Sequence, residues 1–221
     1  MKVIITGTTG MIGEGILLEC LEDNRITEIL SVSRKPTGKT HPKLREYLVS
    51  DFLSIKENDE MLQGYDACFF CAGISSVGIN EKDYERITYD TTLHFAKMLN
   101  PNSSLSFVYV SGSGTDSSEK GRLHWARVKG KTENDLMKLP FKQAFGFRIG
   151  IVKPTSGQVH VLKFYHYLSW LMPVIKIFFS GFFNTMKQVS NAMIHLAENG
   201  YDHNIIYVKD IHRINQHALT L

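Results

Sequence analysis

KVIITGTTGMIGEGILLECLE, residues 2–22, places an apolar run, a glycine loop and a helical repeat end to end. Residues 2–6 have the length of a buried strand, and Ile12, Ile16, Leu17, Cys20 and Leu21 recur at the spacing of one helix face. Gly7, Gly10 and Gly13 fall at the turn between them. Glycine there permits positive φ and lets the backbone approach a pyrophosphate, while the helix start aims free N–H groups and the positive dipole end at the anion. The GxxGxxG spacing departs from the GxGxxG fingerprint of dinucleotide sites, so the order of strand, loop and helix carries the reading. That order predicts a nucleotide site and not a bare turn.

Outward from this unit, short apolar runs recur at 29–33, 67–72, 105–111, 143–149 and 204–208, with REYLV (45–49) as a further short strand. Helical spacing fills the gaps: Ile87, Leu93, Phe95, Ala96 and Leu99, then Val128, Leu136 and Leu139. Such alternation predicts an α/β chain with a doubly wound Rossmann arrangement, a mostly parallel sheet of about seven strands with helices on both faces. No internal repeat or low-complexity linker interrupts residues 1–221, so one domain is expected, with an amphipathic helix over 184–200 closed by Gly200.

Of the 221 residues, 43% are hydrophobic, enough for a globular core, and 25 basic against 22 acidic residues are spread without a block of like charge. Nucleic acid is therefore not an expected partner. The first apolar run passes directly into the glycine loop, unlike a signal peptide, and a cytoplasmic location is expected. Cys20, Cys68 and Cys71 are too few for a disulfide framework. Within a strand, residues three apart point to opposite faces, so Cys68 and Cys71 read as structural thiols and not as a redox or zinc pair. His160, His166, His195, His203, His212 and His217 lack ligand spacing, and no metal is expected.

The second strand ends in Ser33-Arg34-Lys35, where a site for NAD would place a carboxylate on the ribose 2′-hydroxyl. Cations at that place would attract a 2′-phosphate, which predicts NADP over NAD. Asp51 and Phe52, after the third short strand, are expected to hold adenine by hydrogen bond and by stacking.

TGxxGxxG from Thr6, the Asp51-Phe52 pair, Ala72-Gly73, serine after the fifth strand and VKGKTE at 128–133 together resemble the short-chain dehydrogenase/reductase superfamily. The resemblance is to its atypical and extended branches, the NAD-dependent epimerase/dehydratase-like and Tat-interacting oxidoreductase-like proteins, and runs from residue 3 to about 208. It implies a phosphate loop at Gly7, Thr8, Thr9, Gly10, Met11, Ile12 and Gly13, and a ribose end at Arg34 and Lys35. It further implies an adenine pocket at Asp51 and Phe52, and a second-ribose segment at Cys71, Ala72 and Gly73. Ser111 or Ser113 matches the catalytic serine, Lys129 the lysine of YxxxK, and Arg148-Ile149-Gly150 the stretch beside the nicotinamide.

One position fails to carry over. Trp125 stands where the family has tyrosine, whose phenol exchanges a proton while hydride moves. An indole N–H donates a hydrogen bond but does not exchange its proton usefully near neutral pH. None of the nine tyrosines is followed by lysine at the fourth position, and His124 points about 100° away on the same helix. Two functions stay open: an oxidoreductase or epimerase/dehydratase-type enzyme on a small carbonyl or sugar-nucleotide substrate, or a catalytically impaired NADP(H) sensor or scaffold. Finally, FYHYLSWLMPVIKIFFSGFF (164–183) is interrupted by His166, Pro173 and Lys176, which argues against a membrane span. A small substrate-side or interface segment over 155–185 is expected, with a homo-oligomer contact or peripheral membrane attachment as alternatives.

Overall fold

The computed structural model describes residues 1–102, 104–161 and 180–217. Its framework is a seven-stranded sheet built from β1 (Lys2–Thr6), β2 (Glu28–Ser33), β3 (Leu44–Leu48), β4 (Ala67–Phe70), β5 (Ser106–Val110), β6 (Gln143–Phe147) and β9 (Ile205–Ile206). Their spatial order is β3-β2-β1-β4-β5-β6-β9, and every pairing is parallel. Parallel strands need crossovers, and α1 (Met11–Glu22), α2 (Glu81–Glu85), α3 (Thr91–Met98), α4 (His124–Leu136) and α5 (Met186–Asn199) supply most of them, while a loop joins β2 to β3 and two short 3-10 turns lie between β3 and β4. A π-helical turn, Arg86–Asp90, joins α2 to α3. The expected doubly wound Rossmann sheet is present.

Both faces are covered, which explains why the strands read as continuous apolar runs and not as alternations. On one side Val3, Ile5 and Phe69 pack with Ile16, Leu17, Val189, Met193 and Ile211; on the other Ile4, Cys68 and Phe70 pack with Phe52, Phe95, Phe107 and Leu136. Successive strand residues thus feed opposite cores, as the pleat requires. Cys68 belongs to the second core while Cys71 packs against the first, and burial pushes both thiols upward.

The C-terminal third departs from expectation. The run 204–208 yields only Ile205–Ile206 as strand, because a helix, α6 (Val208–His217), begins there and sends Ile211 and Ile214 into the core. The run 143–149 ends at Phe147, and Ile151–Lys153 forms β7, which pairs in parallel with β8 (Phe183–Thr185) as a separate ribbon. The helix expected over 184–200 starts at Met186, where Thr185 and Gln188 form a reciprocal capping box, and Gly200 closes it. The stretch 164–179 lies outside the described residues.

The glycine loop is constrained by backbone contact. Gly7 has φ +68°, and a methyl on Gly13 would stand 2.2 Å from the Gly7 carbonyl oxygen. Backbone cannot yield as a flexible side chain can, so Gly13→Ala is expected to lower stability by about 1–3 kcal/mol. Gly73→Ala, where the added methyl meets nothing within 4 Å, serves as the control and should change stability by less than about 0.5 kcal/mol. Thermal unfolding of the two variants checks the contrast; equal melting temperatures would refute the close-approach argument.

Candidate functional site

In sheets of this type the crevice opens where strand order reverses, here between β1 and β4 at their carboxyl ends. Thr6 pins that end: its hydroxyl oxygen accepts from the backbone N–H of Cys71 and of Ala72, each at 3.0 Å. Thr8, buried, hydrogen-bonds Ser31 at 2.7 Å and so ties the loop to β2. Between them Gly7 lies so close to the Cys71–Ala72 peptide that a side chain would meet it at 2.7 Å. Gly10 is the N-cap of α1 and no side chain caps the helix. The first N–H groups of α1 therefore have no side-chain acceptor over them, and this end of the helix suits an anionic phosphate. Thr9, Met11 and Ile12 complete the loop at partial exposure.

The second half of the crevice is built where β5, β6 and α4 meet. Lys129 donates to the Ser111 carbonyl at 2.7 Å, and its amino group lies 5.9 Å from the Tyr109 ring centre. The residue as a whole is only partly buried, but its amino group is enclosed. Loss of solvation pulls it down to about 8, opposed in part by the nearby charge of Glu133. Ser111 is buried and its hydroxyl donates to Glu133 Oε1 at 2.6 Å, so that hydroxyl is committed to structure. Ser113, two residues on, is exposed, and its N–H donates to the Ile149 carbonyl at 3.0 Å. Of the two serines that sequence left open, Ser113 is the one whose side chain reaches a cavity.

Glu133 and Arg148 were not singled out by sequence as a pair. Arg148 donates from Nε to Glu133 Oε1 at 3.1 Å and from Nη2 to Oε2 at 2.5 Å, and it also donates to the Ser117 hydroxyl. Neither residue is more than a few percent exposed. Burial opposes the guanidinium charge, but the hydrogen bonds and charge of Glu133 more than offset that and hold Arg148 above its ordinary value. The available signal was Glu133 one helical turn beyond Lys129, on the same face.

Trp125 is half-buried, and a methyl on Gly114 would stand 2.6 Å from the tip of its indole. The ring thus braces the loop that carries Ser113, as a packing residue would. His124 opens α4 and faces α2, with its ring 6.2 Å from that of Tyr84 and Nε2 3.9 Å from Glu81.

Arg34 and Lys35 are exposed at the end of β2, open to a ligand. Nearby Lys39 lies 3.3 Å from Glu14, a buried acid on α1 that also accepts from the N–H groups of Val159 and His160 at 3.1 and 2.6 Å. Burial alone would raise this carboxyl; the His160 and Val159 N–H groups, with Lys39, outweigh it and hold it below the usual range. Asp51 is exposed and accepts from Leu53 N–H at 3.0 Å. Phe52 corrects the expectation of adenine stacking: its ring lies in the core, 5.4 Å from Phe95 and 6.4 Å edge-on to Phe70, because the turn Phe52–Ser54 directs it inward. Among the described residues no group of three or more metal-ligating side chains occurs, and no helix is long and apolar enough to cross a membrane.

Comparison with known proteins agrees with this geometry. A family model described as "NAD dependent epimerase/dehydratase family" matches residues 3–119. Relatives include the protein FMP52, mitochondrial, of Debaryomyces hansenii, 24% identical over 203 residues that cover 89% of this chain and 88% of the relative. The protein HTATIP2 of Rattus norvegicus is 24% identical over 212 residues, 90% of this chain and 86% of the relative. Among solved structures, a UDP-N-acetylglucosamine 4-epimerase from Methanobrevibacter ruminantium M1 superposes with a TM-score of 0.65 at 16% identity, over 100% of this chain and 82% of that one. A UDP-glucuronic acid 4-epimerase from Bacillus cereus in complex with NAD gives 0.64 at 15% identity, over 100% and 83%.

Two consequences are measurable. Glu133→Ala strands a buried guanidinium and is expected to cost about 3–5 kcal/mol in urea unfolding, against less than about 1 kcal/mol for the exposed pair partner Glu85→Ala. Lys129, with a folded value near 8 and an ordinary one of 10.5, destabilises the fold while charged in both states, so its penalty is full below pH 8 and fades as pH rises to 10.5. Lys129→Met should thus be more stable than the parent below pH 8, by about 2 kcal/mol after the lost hydrogen bond, with the gap closing across that window. A gap independent of pH would refute the buried-ammonium assignment.

Proposed function

We propose a function from the premise that the chain belongs to the NAD-dependent epimerase/dehydratase family: it binds NADP(H) in the crevice between β1 and β4 and acts as an oxidoreductase or epimerase/dehydratase-type enzyme on a small carbonyl or sugar-nucleotide compound. The glycine cradle carries this reading, because Gly7 and Gly13 bring backbone into contact at the uncapped start of α1, leaving room and N–H donors for a pyrophosphate. Arg34 and Lys35 would take the 2′-phosphate and Asp51 the adenine edge. Cys71, Ala72 and Gly73 would line the ribose, and Lys129 would reach its hydroxyls with Ile149 alongside. When bound, the nicotinamide supplies or accepts hydride. Ser113 would polarise the substrate carbonyl, and Trp125, lacking an exchangeable proton, would hold the Ser113 loop in place.

Trp125 favours a second reading, a sensor or scaffold that follows the NADPH/NADP ratio. General acid catalysis is worth ~10² to 10⁴ in rate, so its loss at this position would leave binding intact and turnover poor. Location is a related question: a cytoplasmic protein is the simplest case, while the FMP52 relatives carry the word mitochondrial in their names, and cell fractionation decides between the compartments.

Calorimetric titration with NADPH, NADP, NADH and NAD tests the cofactor. The phosphorylated pair should bind roughly tenfold or more tightly, the worth of a charge-assisted hydrogen bond, and Arg34→Asp should abolish the difference. Equal affinities before and after that change would sink the role of Arg34, and no binding by any of the four would sink the function. Selective binding without turnover across a carbonyl screen would support the sensor.

A further inference from the structure

Beyond the cofactor crevice, a cavity of about 260 Å³ opens at the carboxyl ends of β5, β6 and β9. Ser113 lines it from the loop after β5, Arg148 from the end of β6, and Tyr207, Val208 and Lys209 from the start of α6, with Phe182 as an apolar wall. Each of its polar side chains can donate a hydrogen bond. Three of the hydrogen bonds of Arg148 go to Glu133 and Ser117 through Nε and Nη2, whereas Nη1 makes only a long 3.4 Å contact with the Tyr207 hydroxyl. Tyr207 is 40% exposed, and its ring centre lies 5.5 Å from the Arg148 guanidinium and 5.8 Å from the Lys209 ammonium, so two cations neighbour it. Among the described residues, no aspartate or glutamate lines the cavity. Glu133 neutralises Arg148 from behind, which leaves Lys209 as the net charge that a ligand would meet.

Volume sets the size of that ligand. Sites for drug-sized molecules run to ≈ 300–1,000 Å³, and this cavity lies below that range, too small for a sugar nucleotide. Converging donors with no carboxylate among the described lining residues, one uncompensated cation and a short apolar wall together select a compact, acceptor-rich anion with a small alkyl tail. We propose that the cavity binds a short 2-oxo acid, its carboxylate on Lys209 and Arg148 Nη1 and its keto oxygen on the hydroxyls of Ser113 and Tyr207. The keto group rests on the reductase-type function proposed above; the carboxylate rests on the cavity alone.

The test is saturation-transfer NMR on the full chain with 2-oxobutanoate, with butanone as the neutral carbonyl of like size and UDP-glucose as the large competitor, each with and without NADPH. The oxo acid should bind at least about tenfold more tightly than butanone, and Lys209→Ala should remove most of that advantage, as expected for one charged hydrogen bond. Lys209 is exposed, so the variant should keep the parent melting temperature. Equal binding of acid and ketone, or an advantage that survives Lys209→Ala, would overturn the proposal, as would displacement of the oxo acid by UDP-glucose. Binding of 2-oxobutanoate by a protein that takes none of the four nicotinamide nucleotides would keep the cavity assignment and remove the cofactor. NADPH binding with no response to the oxo acid would do the reverse.

Discussion

The Glu133–Arg148 pair governs how α4 meets the ends of β5 and β6. Withdrawing two charges from water costs several kcal/mol per ion, and the loss is recovered only when every oxygen and N–H is satisfied. Here both carboxylate oxygens are engaged, Oε1 by the Ser111 hydroxyl and Arg148 Nε, Oε2 by Arg148 Nη2. The space they need is made by Gly146 in β6, where a methyl would stand 2.6 Å from Oε1. Through this one carboxylate α4 is fixed against the ends of β5 and β6. Three positions follow from it: Lys129 one turn earlier, Ser113 two residues beyond Ser111, and the free side of Arg148 in the cavity.

A second buried carboxylate does similar work at the other side of the crevice. Glu14 sits in the first turns of α1, where the helix dipole favours a negative charge. Left alone it would repel a pyrophosphate. Lys39 from the loop after β2 neutralises it, and the N–H groups of Val159 and His160, from the chain beyond β7, hydrogen-bond it. Gln158 adds a bond to the Met11 carbonyl and Thr155 one to Glu19, so residues 155–160 run along α1 as a strap. The two acids together explain how a loop of small residues can stay open to an anion while its flanks are rigid.

The first unit was legible because its determinants are local. Residues 2–22 show the strand run, the glycines and the helix face within one stretch, and the structure keeps all three at the expected places. The seven-stranded order follows from repetition of that pattern. What stayed hidden depends on contacts between distant segments. Phe52 reads equally as a stacking ring or a core ring until Phe70 and Phe95 are seen around it. β7 and β8 have three residues each, too short for a period to show, and pair across some thirty positions. Arg148 looked like part of a cofactor-side tripeptide because its partner lies on another element.

Trp125 then takes its meaning from geometry more than from chemistry. In the resembling family, lysine one turn after tyrosine lowers the phenol's affinity for its proton; with indole in that position Lys129 has no such partner and turns to the Ser111 carbonyl. Its amino group is enclosed, and the loss of solvation makes it shed its proton more readily than an exposed lysine. The indole meanwhile lies on Gly114 and stiffens the turn between Ser113 and Thr115. Ser113, held on that turn, lines the same cavity as Tyr207, so the indole acts on the cavity through packing and not through proton exchange.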